Sequence, residues 1–395
     1  MRKIKLYNKI SKNGLLTFER AGYEVSASVE NPEGIMVRSA NISESELTDS
    51  LLAISRAGAG VNNIPISECS RRGIVVFNTP GANANAVKEL AVCALMLAAR
   101  DITGGIEWVG GLSGDDNVAG LVESEKSRFA GGEILGKTLG VIGLGAIGGM
   151  VANTARTLGM KVVGYDPHLT VAAAWSLSRS VNNAHDLTEL CRDADYITLH
   201  VPSNPATRGM INSELISHMK DGVRIINLSR ADLVNTEDMK NALESGKVAR
   251  YVTDFPTKDT IYFKNTINIP HLGASTAESE ETSAKMAAEE LKEFLETGNI
   301  KNSVNMPEVS IPHFGAARVC IMHLNIANML SQITSAISSV GINIENLSNG
   351  SRGDYAYTIV EMDRDLPEDI LPRITAIDGV IRVRTIASDL QAAVR

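Results

Sequence analysis

What this sequence lacks narrows it first. Its four cysteines, Cys69, Cys93, Cys191 and Cys320, are far apart and never form C-x-x-C. That spacing offers no disulfide framework and no metal-ligand pattern, and it reads as buried free thiols in a reducing compartment. No metal is expected. There is no excess of positive charge either: the formal net charge is −8. The chain therefore has no general attraction to nucleic acid or to an anionic membrane, and any phosphate must be met by local arginines. Long apolar runs are missing too. The longest, Leu90 to Ala99, is bracketed by Lys88, Glu89 and Arg100. It is too short to span a bilayer and reads as a buried helix. The opening MRKIKLYNKI alternates charge and apolarity like a short strand, not a secretory signal, so a cytoplasmic protein is expected. No segment is of low complexity.

What is there is a long, strongly patterned chain. Its 395 residues are too many for one core and imply two or three domains. Up to about residue 97, the stretches KIKLY, GIMVRSA, LLAISRAG and GIVVFNT read as strands, followed by a helix over NAVKELAVCALMLAARD. Residues 98 to 135 are rich in Gly and Ser and read as loop. The strand–helix rhythm restarts at KTLGVIGLG and runs through KVVGYD, ADYITLHVP, RIINLSR and ARYVTDF to TINIPHLG, six strands in all. A helix from about Ser275 to Thr297 follows. The stretch NIKNSVNMPEVSIPHFG has no period and reads as a hinge-like linker. The last 80 or so residues read strand (318–325), helix (328–340), strands (342–348 and 354–362), helix (367–377) and strand (379–386), the βαββαβ order of a ferredoxin-like domain. The expected fold class is therefore α/β, with two doubly wound parallel sheets and a C-terminal ferredoxin-like unit.

The chemistry begins at LGVIGLGAIGGMVANTARTLGMKVVGYDP. Gly143, Gly145 and Gly148 make G-x-G-x-x-G after a strand and at the start of a helix, and a second strand ends at Asp166. Such glycines let a pyrophosphate approach the backbone at a helix N-terminus. Asp166 is placed to accept from ribose hydroxyls and repels a 2′-phosphate, so NAD is expected over NADP. Later strand ends carry Ser229-Arg230, Asp254 and His271. A 2-hydroxy acid needs a carboxylate clamp, for which the forked guanidinium is suited, and a base for its hydroxyl proton, for which imidazole is suited.

With VRSA, SRAGAGVNNI, GIVVFNTPGAN, GKTLGVIGLGAIG, YDP, NLSR and PHLGAST, the chain resembles the D-isomer-specific 2-hydroxyacid dehydrogenase family over nearly its whole length, in the branch that carries a C-terminal ACT domain. The resemblance implies a discontinuous substrate domain (1–97 and 275–303), an NAD domain (98–274), a linker (304–316) and an ACT domain (317–395), with the active site in a cleft. It implies NAD-dependent oxidation of 3-phospho-D-glycerate to 3-phosphohydroxypyruvate. Alternatives are oxidation of glycerate, lactate or 2-hydroxyglutarate, or a non-catalytic NAD sensor.

For the site, the resemblance implies Arg230 and His271 as catalytic residues, joined by an acid five places after an aspartate in D-x-F-x-x-E. Counting from Asp254 reaches Asp259, which would bond and orient the histidine; aligning FPT by identity puts Lys258 there instead. Cofactor contacts would come from Gly143, Gly145, Ala146, Ile147, Gly148, Asp166, Val201, Pro202, Leu228, Ser229, Arg230, Asp254, His271, Gly273 and Ala274. Arg38, Ser39, Arg56, Gly58 and Asn62 would face the substrate. Two arginines suit a phospho-substrate, and the competing reading pairs them with local carboxylates. His323, Asn325 and Asn343 would bind an L-serine effector between subunits of a homodimer or homotetramer, with Asn328 in the loop beside them.

Overall fold

β1 (Lys3–Tyr7), β2 (Glu24–Ser26), β3 (Gly34–Val37), β4 (Ala53–Arg56) and β5 (Val75–Asn78) form a parallel sheet in the order β2-β1-β3-β4-β5. The structure, a computed structural model, describes residues 1–313, 315–367 and 369–387. Within the expected linker and C-terminal domain, residues 314, 368 and 388–395 lie outside the described residues. Strand β3 is buried at every position, as a strand covered on both faces requires. Strand β2, absent from the sequence reading, is a three-residue edge with no alternation to reveal it.

The chain divides into two compact units, Met1–Ala82 with Ala277–Arg395, and Asn83–Thr276. In the first unit, helix Ala277–Thr297 buries Ala284, Ala287, Ala288, Leu291, Phe294 and Leu295, one stripe at helical spacing. It crosses helix Lys12–Glu19 so closely that a Cβ on Gly14 would lie 2.7 Å from Ala284.

The same unit holds the C-terminal sheet. Strands β13 (Ala317–Leu324), β14 (Ile344–Arg352), β15 (Tyr355–Met362) and β16 (Val380–Ala387) are antiparallel in the order β14-β15-β13-β16, the ferredoxin-like arrangement. One face buries Val319, Ile321 and Val360 under helices Met329–Ser338 and Ile370–Thr375. The other face, with Cys320, Met322, Tyr357 and Ile359, joins a core containing Phe77, Leu291 and Phe294. Because both faces are covered, seven of the eight residues of β13 are buried.

The segment expected to be a free linker is tied down. Asn305 accepts from the Val76 amide at 2.8 Å and donates to the Ile74 carbonyl at 2.9 Å, while the Ser303 hydroxyl donates to the Val76 carbonyl at 3.1 Å. Its Asn and Ser look solvent-seeking in composition, but they satisfy the open edge of β5. Arg384 donates to the Phe294 carbonyl at 2.6 Å, and the buried Arg318 donates to those of Thr297, Ile311 and Pro312 and pairs with Glu361. These arginines cap the last carbonyls of the long helix, where cations are favoured.

The second unit carries β6 (Thr138–Ile142), β7 (Lys161–Tyr165), β8 (Val181–Asn183), β9 (Tyr196–Leu199), β10 (Val223–Asn227), β11 (Val248–Thr253) and β12 (Thr266–Asn268). They make a parallel seven-stranded sheet, β12-β11-β10-β9-β6-β7-β8. The order reverses beside β6, the switch point where doubly wound sheets bind dinucleotides. Six strands were expected; the seventh, β8, is a short polar edge. Helix Ala84–Ala99 belongs to this unit, its alanines packed with Val151, Ala152 and Ala155 of helix Ala146–Thr157. Cys93 on it is exposed, a correction to the expectation of four buried thiols, since it lies off that packed face; Cys69, Cys191 and Cys320 are buried. Residues 98 to 135 are not all loop: helices Ile102–Gly110 and Val118–Glu125 form there despite their glycines.

Candidate active site

The cofactor cradle is made by missing side chains. Gly143 has φ 90°, and a Cβ there would sit 2.5 Å from the His200 carbonyl oxygen. A Cβ on Gly148 would fall 1.8 Å from the Gly143 carbonyl oxygen, so helix Ala146–Thr157 could not start where it does. A Cβ on Gly145 would meet nothing within 4 Å, which leaves open space in front of the helix N-terminus that Ala146 and Ile147 begin. Asp166 follows β7. Its carboxylate accepts the Leu144 amide at 2.8 Å and the His168 amide at 2.9 Å. Two backbone bonds fix it and leave lone pairs for ribose hydroxyls.

Val201 and Pro202 follow β9, and Leu228 follows β10. The Ser229 hydroxyl donates to the Leu199 carbonyl at 2.7 Å, joining the ends of β9 and β10. Two residues here escaped the sequence reading. Buried Asn227 accepts the Ser229 amide at 3.1 Å and donates to the Arg230 carbonyl at 2.8 Å, so it shapes the turn that presents Arg230. His200 bonds Thr198 through Nε2 at 3.0 Å, and its Nδ1 has no partner. Burial pushes it down to about 4, which keeps it neutral beneath the glycine loop. The signal for both was a polar residue near the end of an apolar strand.

Arg230, Asp254 and His271 are brought together around Phe255. The Arg230 guanidinium lies 5.4 Å from the Phe255 ring centroid, and the His271 ring centroid lies 4.4 Å from it. Arg230 and His271 are exposed, while Asp254 is fully buried. Asp254 Oδ2 accepts the Gly273 amide at 3.3 Å, and Oδ1 has no partner. Burial raises the Asp254 carboxyl; the charge of His271, the Gly273 amide and Arg230 act against that rise. Ala274, beside Gly273, is partly exposed. Asp259 is not in this group. It is exposed and precedes the short turn Thr260–Tyr262, where its side chain caps nothing. Lys258 is exposed as well.

In the first unit, Arg38, Ser39, Arg56, Gly58 and Asn62 lie at or after the ends of β3 and β4. Arg56 Nε donates to the Arg38 carbonyl at 3.0 Å. A Cβ on Gly58 (φ 144°) would lie 2.1 Å from an Arg56 guanidinium nitrogen, so glycine makes room for the arginine. Arg38 pairs with Glu280 at 2.6 Å. Ser39 is held through its amide by Asn8, and Asn62 is exposed. In the C-terminal sheet, buried His323 bonds the Leu324 carbonyl at 2.8 Å and Thr358 at 2.9 Å. Asn325 lies past the end of β13 and donates to the Gly353 carbonyl at 3.1 Å, and the Asn343 amide donates to Asp363 at 3.1 Å. Among the described residues no hydrogen bond joins the three. Asn328 takes the left-handed conformation, φ 69°.

The second unit's sheet order, glycine cradle and Asp166 define a dinucleotide-binding dehydrogenase domain of the NAD type. Residues 94–273 match the family "D-isomer specific 2-hydroxyacid dehydrogenase, NAD binding domain". The chain is 31% identical to the D-3-phosphoglycerate dehydrogenase of Escherichia coli K12 over 85% of this chain and 82% of that one. It is 29% identical to that of Dictyostelium discoideum over 97% of both. It is also 36% identical to that of Methanocaldococcus jannaschii over 75% of this chain; the match spans 55% of that longer protein, little more than half. Among solved structures it resembles an NAD+-bound 3-phosphoglycerate dehydrogenase from Entamoeba histolytica, with a TM-score of 0.61 and 27% identity, over 77% of this chain and 98% of that one. The chain belongs to the D-isomer-specific 2-hydroxyacid dehydrogenase family. Among the described residues, no helix is long and apolar enough to cross a membrane.

Proposed function

We propose that this protein oxidises 3-phospho-D-glycerate to 3-phosphohydroxypyruvate with NAD, the first step of L-serine biosynthesis. The observation that carries the reading is the placement of Arg230 and His271 on Phe255, in the same unit as the glycine cradle. NAD, held by Gly143, Gly145, Gly148 and Asp166, supplies the hydride acceptor. Arg230 clamps the substrate carboxylate and sets the carbon–hydrogen bond in place. His271 accepts the hydroxyl proton as the carbonyl forms. Arg38 and Arg56 read the phosphate, with Ser39, Gly58 and Asn62 lining that end. Residues 1–82 and 277–303 serve as the substrate domain and 83–276 as the NAD domain, the boundary falling before helix Ala84–Ala99 and not at the expected residue 97. The protein acts in the cytoplasm as a homodimer or homotetramer, and its C-terminal sheet serves as an ACT module that binds L-serine near His323, Asn325 and Asn343.

NADH formation from 3-phosphoglycerate, with the product trapped, tests the activity. Turnover well above that with glycerate, lactate or 2-hydroxyglutarate is expected. His271→Ala lowers turnover by about 10²–10⁴ while NAD affinity holds. Near-normal turnover in that variant would assign the proton to another group. Calorimetry with L-serine and light scattering test the effector and the assembly.

A further inference from the structure

The stretch VTDFPTKD departs from the D-x-F-x-x-E pattern, because Phe255 follows Asp254 directly. The shortened spacing sets the aromatic ring directly after the buried aspartate. Asp259, five places on, is exposed at the start of a short turn. Its amide donates to the Thr257 hydroxyl at 3.3 Å, so its own backbone is engaged in that turn rather than with the histidine loop.

The carboxylate that does touch the histidine loop is Asp254. Its Oδ2 accepts the amide of Gly273, two residues beyond His271, at 3.3 Å. A Cβ on Gly273 would lie 3.3 Å from that same oxygen, so the loop passes as close to the carboxylate as glycine allows. The Phe255 ring supports the imidazole from the adjoining position, 4.4 Å between centroids. We infer that Asp254 is the positioning residue for His271 in this protein, holding its loop and facing its charge, in the place the five-residue spacing would give to Asp259. The inference rests on reading His271 as the proton acceptor. Charge agrees with the geometry: of the groups that offset the burial of Asp254, the charge of His271 is the largest, followed by the Gly273 amide and, further down, Arg230. Tyr251, on the preceding strand, also faces Asp254.

Two measurements on the full-length protein separate this inference from the proposed activity. Hydrogen exchange of the segment around Gly273 requires no substrate. Asp254→Ala speeds it by on the order of tenfold, as loss of one buried bond implies, and Asp259→Ala leaves it as it was. The split between kcat and KM for hydroxy-acid oxidation reads the positioning. In Asp254→Ala kcat falls by on the order of tenfold with KM little changed, and Asp254→Asn, which keeps an acceptor for the Gly273 amide, restores most of it. In Asp259→Ala kcat stays in place. A kcat that falls in Asp259→Ala and not in Asp254→Ala overturns the inference, as does unchanged exchange in Asp254→Ala. A parent protein that oxidises no 2-hydroxy acid, with the exchange result intact, overturns the proposed activity and leaves the positioning contact standing.

Discussion

Gly143, Gly145 and Gly148 shape the end of the second unit's sheet by leaving side chains out, whereas Asn8, Asn63, Asn78 and Thr79 shape the end of the first unit's sheet by putting side chains in. In the first unit Asn8 accepts the amides of Ser39 and Ala40 at 3.1 and 2.6 Å, and Asn63 donates to the Ala40 carbonyl at 2.6 Å. Thr79 accepts the Gly58 amide at 2.8 Å, and Asn78 donates to the Ala59 carbonyl at 2.6 Å. The difference fits what the proposed function asks of each surface. A pyrophosphate is met by backbone amides, which need bare approach. On the proposed function, a phosphate read by two arginines would need the loops that carry them held still, and side-chain amides can do that with donors and acceptors together. The glycine-built surface should therefore be intolerant of added atoms, and the side-chain-built surface should respond to charge and pH.

Gly148→Ala is expected to have the largest effect on ligand binding. Its new Cβ would overlap the Gly143 carbonyl oxygen at 1.8 Å. NAD affinity, measured by calorimetry, is expected to fall by roughly ten- to a hundredfold, the equivalent of about 1–3 kcal/mol of forced repacking. Unchanged affinity would mean that close approach does not define the cradle.

Glu290→Gln comes next and probes the other surface from below. Glu290 accepts from Asn302 at 2.6 Å, and the Asn302 carbonyl accepts the Asn78 amide at 3.4 Å, so the buried carboxyl lies under the asparagine bracing. Burial pushes Glu290 from 4.5 up to about 8. A raised folded-state value means that the folded protein holds the proton more tightly. The stability from this group is full below the unfolded value and is lost as pH rises through the folded one. Glu290→Gln removes that loss, so the variant should match the parent near pH 4.5 and exceed it above pH 8. The gain is on the order of a few kcal/mol, read as a higher Tm. A parent and variant with parallel pH dependence would refute the buried-proton account.

Glu280→Gln is expected to have the smallest effect. Arg38 and Glu280 are 39% and 43% exposed in their pair, and exposed pairs are worth about 0.2–1 kcal/mol. Freeing the guanidinium should lower KM for a phosphorylated substrate by a factor of about 2–5, with kcat unchanged. No change in KM would leave Arg38 as a surface residue and shift phosphate recognition to Arg56.

Much of this was legible in the chain. The glycine spacing, the strand ending at Asp166 and the later strand ends at Arg230, Asp254 and His271 appear in the sequence because each is fixed by a local rule of turn, strand or residue chemistry. Strands β2 and β8 were not legible, since three edge residues with a single valine carry no period. The linker was misread because composition cannot tell an asparagine facing water from one, like Asn305, bonded to the edge of β5.

The sequence by itself determined the order of most strands and helices, the glycine cradle and the residue types of the chemistry, because backbone conformation and hydrophobic period act over a few neighbouring residues. Only the tertiary structure decided which carboxylate meets the histidine loop, and that the C-terminal sheet has a buried second face in place of a free hinge. Those outcomes depend on residues far apart in the chain, Asp254 with Gly273 and Phe294 with Tyr357. Burial and bond geometry select such partners from many chemically equivalent ones, and one-dimensional spacing does not contain that choice.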